Sequence, residues 1–266
     1  MDDKNKTIRQ EKIIEKYGKI ALTSVSCCDS GQPSCCSSHD QNPIELSMAI
    51  GYSIHEISDV PDGSNLNLGC GNPQGYAALK PGEIVLDLGS GAGFDCFLAA
   101  RQVRPQGIVI GIDMTAEMVK KARNNAIKGS YTNTAFQLAQ IEHLPLKSDS
   151  VDVIISNCVI NLSTNKDQVF CEAYRVLKPG GRIAISDVIA LTDLPDEIKN
   201  DLDLFSACFS GAMEVTKLER ILETIGFTEI CIEFDRKSHD ITQNWSLEHN
   251  PGDYIRSAAI SASKIT

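Results

Sequence analysis

The most constraining feature is an apolar run that stops in a glycine loop. Ile84-Val85-Leu86-Asp87-Leu88 is followed by Gly89-Ser90-Gly91-Ala92-Gly93 and then by helix-forming residues from Phe94 to Val103. A short apolar run bounded by glycine reads as a strand buried on both faces. A strand feeding a helix through a tight loop is the start of a parallel α/β unit. The alternation continues downstream. Ile108 to Asp113, Thr134 to Ala139, Val151 to Ser156 and Arg182 to Asp187 read as strands. Thr115 to Lys128 and Gln168 to Leu177 read as helices between them. Such alternation predicts a mostly parallel sheet covered on both faces. Phe227 to Phe234 and Tyr254 to Ser261 read as two late strands with no helix between, which can add an antiparallel edge.

The flanks differ from this core. Residues 4 to 21 read as a helix with Ile8, Tyr17 and Ile20 as an apolar stripe. Leu22 to Pro43 is a loop rich in Ser, Cys, Gly and Asp, and a short helix is expected near Glu45 to Ile50. Ala190 to Ile225 breaks the alternation and reads as a mostly helical lid near the carboxyl ends of the strands. Three segments are therefore expected: a helical, cysteine-rich arm over 1–60, a core over 61–190, and a lid with closing strands over 191–266.

Charge and length exclude several classes. Twenty-five basic residues against 35 acidic ones leave a net charge of −10, with no long basic run. Nucleic-acid binding rests on neutralising phosphates, so no such partner is expected. No run approaches the ~18 apolar residues of a membrane span, and the charged opening Met1-Asp2-Asp3-Lys4 lacks the apolar core of a signal peptide. A cytoplasmic monomer is expected, with no membrane partner. Its ten cysteines are expected as thiols for packing, metal binding or redox chemistry rather than as structural bridges.

The loop limits the ligand. Its G-x-G-x-G spacing is not that of dinucleotide sites, and Asp87 would repel a pyrophosphate at the helix N-terminus. The same acid suits a ligand with a positive amino group. Asp113, ending the second strand, can accept both hydroxyls of a ribose. A nucleoside with an amino-acid tail and no phosphate satisfies both, and S-adenosylmethionine fits that description.

The pattern resembles the class I S-adenosylmethionine-dependent methyltransferases over about Lys80 to Val188, including Tyr174-Arg-Val-Leu-Lys-Pro-Gly-Gly181. The resemblance implies a Rossmann-like core. It also implies cofactor contacts at Asp87, Gly89, Ser90, Gly91, Gly93, Asp113, Met114, Ile141, Glu142 and Asn157, with Met114, Ile141 and Glu142 against the adenine.

Three cysteine motifs narrow this further: Leu68-Gly-Cys70-Gly-Asn-Pro73, Ser156-Asn-Cys158-Val-Ile-Asn-Leu162 and Ala207-Cys208-Phe-Ser-Gly-Ala212. Together with Asp87-Leu-Gly-Ser-Gly-Ala-Gly-Phe-Asp-Cys96 and Gly111-Ile-Asp-Met-Thr115 they resemble the arsenite methyltransferases, from about Tyr17 to Phe227. The resemblance implies transfer of a methyl group to trivalent arsenic, giving methylated arsenicals for detoxification. It places arsenic on Cys158 and Cys208 throughout, with Cys70 as a third ligand for arsenite. It also implies an upstream cysteine that can pair with Cys70. Cys27, Cys28, Cys35 and Cys36 all lie in a plausible region, and Cys36 is the one selected. These paired cysteines are open to other roles: arsenic relay, redox disulfides, or little at all. A thiol reductant such as thioredoxin or glutathione is an expected partner.

The chemistry agrees, since soft thiolates select soft centres. Two alternatives stay open: a methyltransferase of another small molecule, and a non-catalytic thiol-based metalloid binder. Cys96, Cys171 and Cys231 are expected as buried packing residues. His39, His55, His143, His239 and His249 show no ligand spacing and are expected at the surface or in packing. Pro195-Asp196-Glu197 is expected as a helix start.

Overall fold

The computed structural model describes residues 3–23, 43–234 and 254–265. Cys27, Cys28, Cys35, Cys36, His39, His239 and His249 lie outside the described residues.

Strands β1 (Ile84–Leu88), β2 (Ile108–Asp113), β3 (Thr134–Leu138), β4 (Val151–Asn157) and β5 (Leu177–Ala190) run parallel. The late strands β7 (Phe227–Phe234) and β8 (Ile255–Lys264) pair antiparallel with each other, and β8 pairs antiparallel with β5. A two-residue strand, β6 (Met213–Glu214), lies beside the end of β5. The sheet order is β3-β2-β1-β4-β5-β8-β7. The Rossmann-like core with an antiparallel edge is therefore as the pattern predicts. Val85, Leu86, Val153, Ile154 and Ile155 are fully buried, as a sheet covered on both faces requires.

Helices α5 (Phe94–Gln102), α6 (Ala116–Lys128), α7 (Lys166–Val176) and α10 (Val215–Ile225) cover the sheet. Their ends follow from capping chemistry. The Asn165 side chain accepts the Gln168 amide at the start of α7, and α10 ends at Gly226 with φ 109°. The short helices α2 (Pro43–Ala49), α3 (Ile54–Ser58) and α4 (Gln74–Ala77) precede β1. Ser53 and Glu56 form a capping box on α3.

Helix α1 (Asp3–Thr23) corrects the predicted stripe. Ile13 and Ile20 are buried and Tyr17 half-buried, while Ile8 is 40% exposed. Residues 13, 17 and 20 are spaced by four and three and share one face; Ile8 lies off it.

The predicted lid contains α8 (Asp196–Asn200), α9 (Leu202–Ser206), β6 and α10. Asp196 and Glu197 occupy the first turn of α8, so Pro195-Asp196-Glu197 is a helix start. Asp201 caps α9 by accepting the Asp203 and Leu204 amides. Helix α1 packs against the lid and holds it. Lys12 pairs with Asp203 at 2.7 Å, Lys16 donates to the Ser206 carbonyl at 3.2 Å, and Arg9 lies over the Phe205 ring at 4.4 Å. The α1 strap and the Cys208 segment are thus one packed unit over the carboxyl ends of β1, β2 and β4.

Two of the cysteines expected in packing are exposed instead. Cys171 lies on the face of α7 opposite Val169, Phe170 and Ala173. Cys231 lies on edge strand β7, where the register shifts between Thr228 and Cys231. Cys96 is fully buried as expected, and it also donates to Asp87 at 3.1 Å. His55 and His143 are at the surface.

Candidate active site

The first glycine loop behaves as its sequence requires. Gly89 and Gly91 have φ of 71° and 51°, conformations that glycine takes without a Cβ penalty. A Cβ on Gly89 would meet the Val159 side chain at 2.2 Å, so the loop passes hard against the end of β4. Gly91 faces open space. Gly93 closes the turn by donating to Ser90 O at 2.9 Å and starts α5.

Below this loop is a cleft of about 1150 Å³, part of it open to solvent. Asp87, Gly89, Ser90, Gly91, Asp113, Met114, Ile141, Glu142 and Asn157 line it, as does Cys158. Gly93 stands outside the lining and acts through the shape of the loop. The cleft is acidic at its base. Burial is the largest influence on Asp87, Asp95 and Asp113, and it pushes all three carboxyls up. Asp113 accepts amides from Gly91 at 2.9 Å and Thr115 at 2.8 Å, which fixes it at the cleft wall. The Ser64 and Ser90 hydroxyls, both buried in this lining, lack hydrogen-bond partners. Buried acids and unpaired hydroxyls suit a cationic, polar guest.

Of the three cysteines Cys158 lines the cleft, and Cys70 and Cys208 adjoin it through Cys158. The Cys70 and Cys158 sulfurs and an oxygen of Asp187 all lie within 4.8 Å of one another. The Cys158 thiol is hydrogen bonded to Cys208 and to Cys70, and these contacts, followed by burial, push its pKa well up. For Cys70 the Cys158 hydrogen bond is the largest influence and lowers the pKa. Burial and the Asp187 charge outweigh it, and the net shift is upward. Cys208 Sγ also donates to the Cys158 carbonyl at 3.0 Å.

Local backbone brings these three together from distant parts of the chain. Cys158 and Cys208 both have positive φ, 57° and 70°. Such backbone in a non-glycine residue is uncommon and clusters at functional sites. Cys70 sits between two glycines that allow close approach. A Cβ on Gly69 would come within 2.6 Å of the Asn157 amide, and one on Gly71 within 2.7 Å of Ser186 Oγ. Gly211 has a Cβ position 1.9 Å from the Asn161 carbonyl, so the Cys208 loop docks directly on the backbone after β4. Ile13, Leu162 and Phe205 pack with Cys208 and wall this corner with hydrocarbon.

The match to known proteins follows this geometry. A family model described as a methyltransferase domain matches residues 79–226. An arsenite methyltransferase of Halobacterium salinarum is 44% identical over 268 residues, covering 98% of this chain and 68% of the relative. The chain belongs to the arsenite methyltransferase family. A second family member, from Aquipseudomonas alcaligenes, is 38% identical and covers 82% of this chain. This chain spans 62% of that relative's length and 40% of the human arsenite methyltransferase. Among solved structures, an arsenic(III) S-adenosylmethionine methyltransferase from Chlamydomonas reinhardtii is similar at TM-score 0.60 and 30% identity, over 85% of this chain and 74% of that one.

Among the residues of this site, the sequence gives no sign of Tyr52, Gln74, Asp95, Asp187 or the α1 residues Ile13 and Tyr17 as members. Tyr52 donates to Asp95 at 2.7 Å, and Asn157 Nδ2 reaches Tyr52 at 3.0 Å and Asp95 at 3.3 Å. Asn157 also grips the Cys70 loop. It accepts the Cys70 amide at 3.0 Å and donates to Gly71 O at 2.8 Å. No linear spacing announces such contacts, because they join residues 43 to 105 positions apart. Asp187 is the partial exception, standing at the end of a predicted strand.

Proposed function

We propose that this chain transfers the methyl group of S-adenosylmethionine to trivalent arsenic held by Cys70, Cys158 and Cys208. The observation that supports the reading best is the thiol corner opening beside an acidic nucleoside-sized cleft. Asp87 and Asp95 favour the ammonium of the methyl donor, Asp113 its ribose hydroxyls, and Met114, Ile141 and Glu142 its adenine. Gly89 and Gly91 let the backbone approach it. When bound, S-adenosylmethionine supplies an electrophilic methyl on a sulfonium.

The cysteines load the substrate by exchange. Each Cys–SH replaces one arsenic hydroxyl, forming an As–S bond and releasing water. The thiol proton leaves with the hydroxyl, so the raised pKa of Cys158 is no barrier to loading. Three sulfurs leave an arsenic lone pair, which attacks the methyl carbon as the carbon–sulfonium bond breaks and S-adenosylhomocysteine leaves. No general base is needed at that step. Arsenic is then pentavalent, and its return to trivalent methylarsenic takes two electrons from a pair of thiols that closes to a disulfide, which the thiol reductant reopens. Holding both partners in one corner contributes proximity, up to roughly 7–11 kcal/mol for ideal alignment. Ile13, Leu162 and Phe205 keep water from the corner.

Cys36 serves in this reading as the upstream cysteine, and a thiol reductant of the thioredoxin or glutathione class keeps the set reduced. Reduced thiols require a reducing compartment, so the cytoplasm is the proposed location. No helix among the described residues is long and apolar enough to cross a membrane. One chain supplies all three thiols and the cleft, which suits a monomer. The arm over 1–60, core over 61–190 and lid with closing strands over 191–266 are the proposed working parts.

The test is turnover. Reduced protein is incubated with S-adenosylmethionine, arsenite and a thiol, and arsenic species are separated and quantified. Methylated arsenic from the parent and none from Cys158→Ser is expected. A parent that binds S-adenosylmethionine but makes no methylated arsenic would sink the arsenic reading and leave a methyltransferase of another acceptor.

A further inference from the structure

Asp187 is the member of the thiol corner that arsenic chemistry does not use. Its carboxylate is buried, 3% exposed, and lies within 4.8 Å of the Cys70 and Cys158 sulfurs. It is held in place from behind. Oδ1 accepts Asn161 Nδ2 and the Val188 amide, both at 2.8 Å, and Oδ2 accepts the Asn161 amide at 3.2 Å. Such donors orient a ligating carboxylate and leave a lone pair for a ligand on Oδ2.

Trivalent arsenic is soft and takes thiols. A borderline cation such as zinc accepts thiolate and carboxylate together. Zinc–sulfur bonds of about 2.3 Å set tetrahedral donors roughly 3.8 Å apart. Donors already within 4.8 Å reach that spacing by shifts of under an ångström or so. Cys208 falls outside the set of donors that lie within 4.8 Å of one another, so the fourth tetrahedral position is left to water. Lys166, close enough to favour the Asp187 charge, offsets the negative excess of such a set.

We propose that Cys70, Cys158 and Asp187 form a site for a divalent cation of the zinc class, which excludes arsenic while it is bound. The proposal shares two thiols with the arsenic reading above and adds a ligand that reading leaves idle. Bound cation would cap the thiols against oxidation. Loading with arsenic would then require its removal, and excess zinc would inhibit methylation competitively against arsenite.

The test uses the full, reduced chain without arsenic or methyl donor, so it stands apart from turnover. Cadmium is the spectroscopic probe, read by thiolate charge-transfer absorbance, and zinc affinity is measured by competition with a chromophoric chelator. A variant with Cys27, Cys28, Cys35 and Cys36 all replaced by Ser removes the N-terminal thiols as a competing site. In that background one equivalent of zinc is expected to bind. Asp187→Asn should weaken zinc by more than the ~10-fold that loss of a partner behind a ligand already costs, while arsenite affinity changes less than about 2-fold. Cys70→Ser should weaken both, and it serves if Asp187→Asn does not fold. Absence of zinc binding in this background would overturn the proposal. So would equal zinc affinity in the parent and Asp187→Asn, or undiminished zinc binding in Cys70→Ser.

Discussion

Cys208 donates its thiol hydrogen to the carbonyl of Cys158, 50 residues earlier, at 3.0 Å, and both residues hold left-handed backbone. The left-handed backbone at these two residues brings a pair of sulfurs to one corner of the cleft. Cys70 joins that pair from a different loop.

Valence makes this arrangement testable. Arsenite offers three bonds to thiols, and methylarsenite offers two. Cys158→Ser and Cys208→Ser should each abolish methylation of both substrates. Cys70→Ser should reduce turnover of arsenite by at least tenfold more than turnover of methylarsenite. Arsenic speciation with each substrate measures the difference. Equal losses in the Cys70 variant would contradict the assignment of three thiols to arsenite and two to its product.

Asn157 yields the second prediction. Its amide holds both flanks of Cys70, accepting at 3.0 Å and donating to Gly71 at 2.8 Å, and the adjacent residue is Cys158. Asn157→Ala frees the Cys70 loop without removing a thiol. A misplacement of about 1 Å can cost ~100-fold in rate. kcat/KM for arsenite should fall by about that factor, and methylarsenite turnover should fall less. S-adenosylmethionine affinity, measured by calorimetry, separates the loop effect from loss of a cofactor contact. A proportional loss on both substrates would mean that Asn157 acts mainly on the cofactor.

Much of this was legible in the chain. The apolar runs give β1, β2, β7 and the two-sided burial because period and turn residues act locally. The glycine loop and Asp113 give the cleft because their roles depend on backbone near them. Ile8 was misplaced because one helical stripe can be drawn through several apolar residues, and packing against the lid selects Ile13 and Tyr17. Cys171 and Cys231 were misread because the average burial of cysteine carries no information about which face of an element a position takes. Asp187, Asp95 and Tyr52 were missed because their contacts arise only when distant segments close. The α1 clasp on Phe205 and Ser206 is of the same kind.

Gly211 permits a test of the lid. A Cβ there would stand 1.9 Å from the Asn161 carbonyl, a backbone atom with little freedom to move. Gly211→Ala should push the Cys208 loop off its seat. Overpacking of this kind costs roughly 1–3 kcal/mol, and turnover of both substrates should fall at least tenfold while the core circular dichroism is kept. Gly75→Ala is the control, since its Cβ meets nothing within 4 Å. Full activity in Gly211→Ala would show that Cys208 needs no fixed seat on Asn161.

The last prediction concerns pH. Burial, the largest influence, raises the Asp187 carboxyl to about 6 from an ordinary value of 3.8. A carboxyl raised in the folded state favours folding while it is protonated. That contribution is complete below pH ~4, is lost as pH rises through about 6, and is absent above. The shift of about two units corresponds to a swing on the order of 3 kcal/mol. Asp187→Asn cannot titrate, so the stability difference between pH 4.5 and pH 8 should be smaller in the variant by a large part of that amount. Asp87, Asp95 and Asp113 shift in the same direction and remain in both proteins, so they cancel in the comparison. Urea unfolding of parent and variant at the two pH values, without zinc, arsenic or methyl donor, reads the difference. Parallel pH dependence in the two proteins would show that Asp187 is solvated or paired in solution, and its place against the thiols would have to be redrawn.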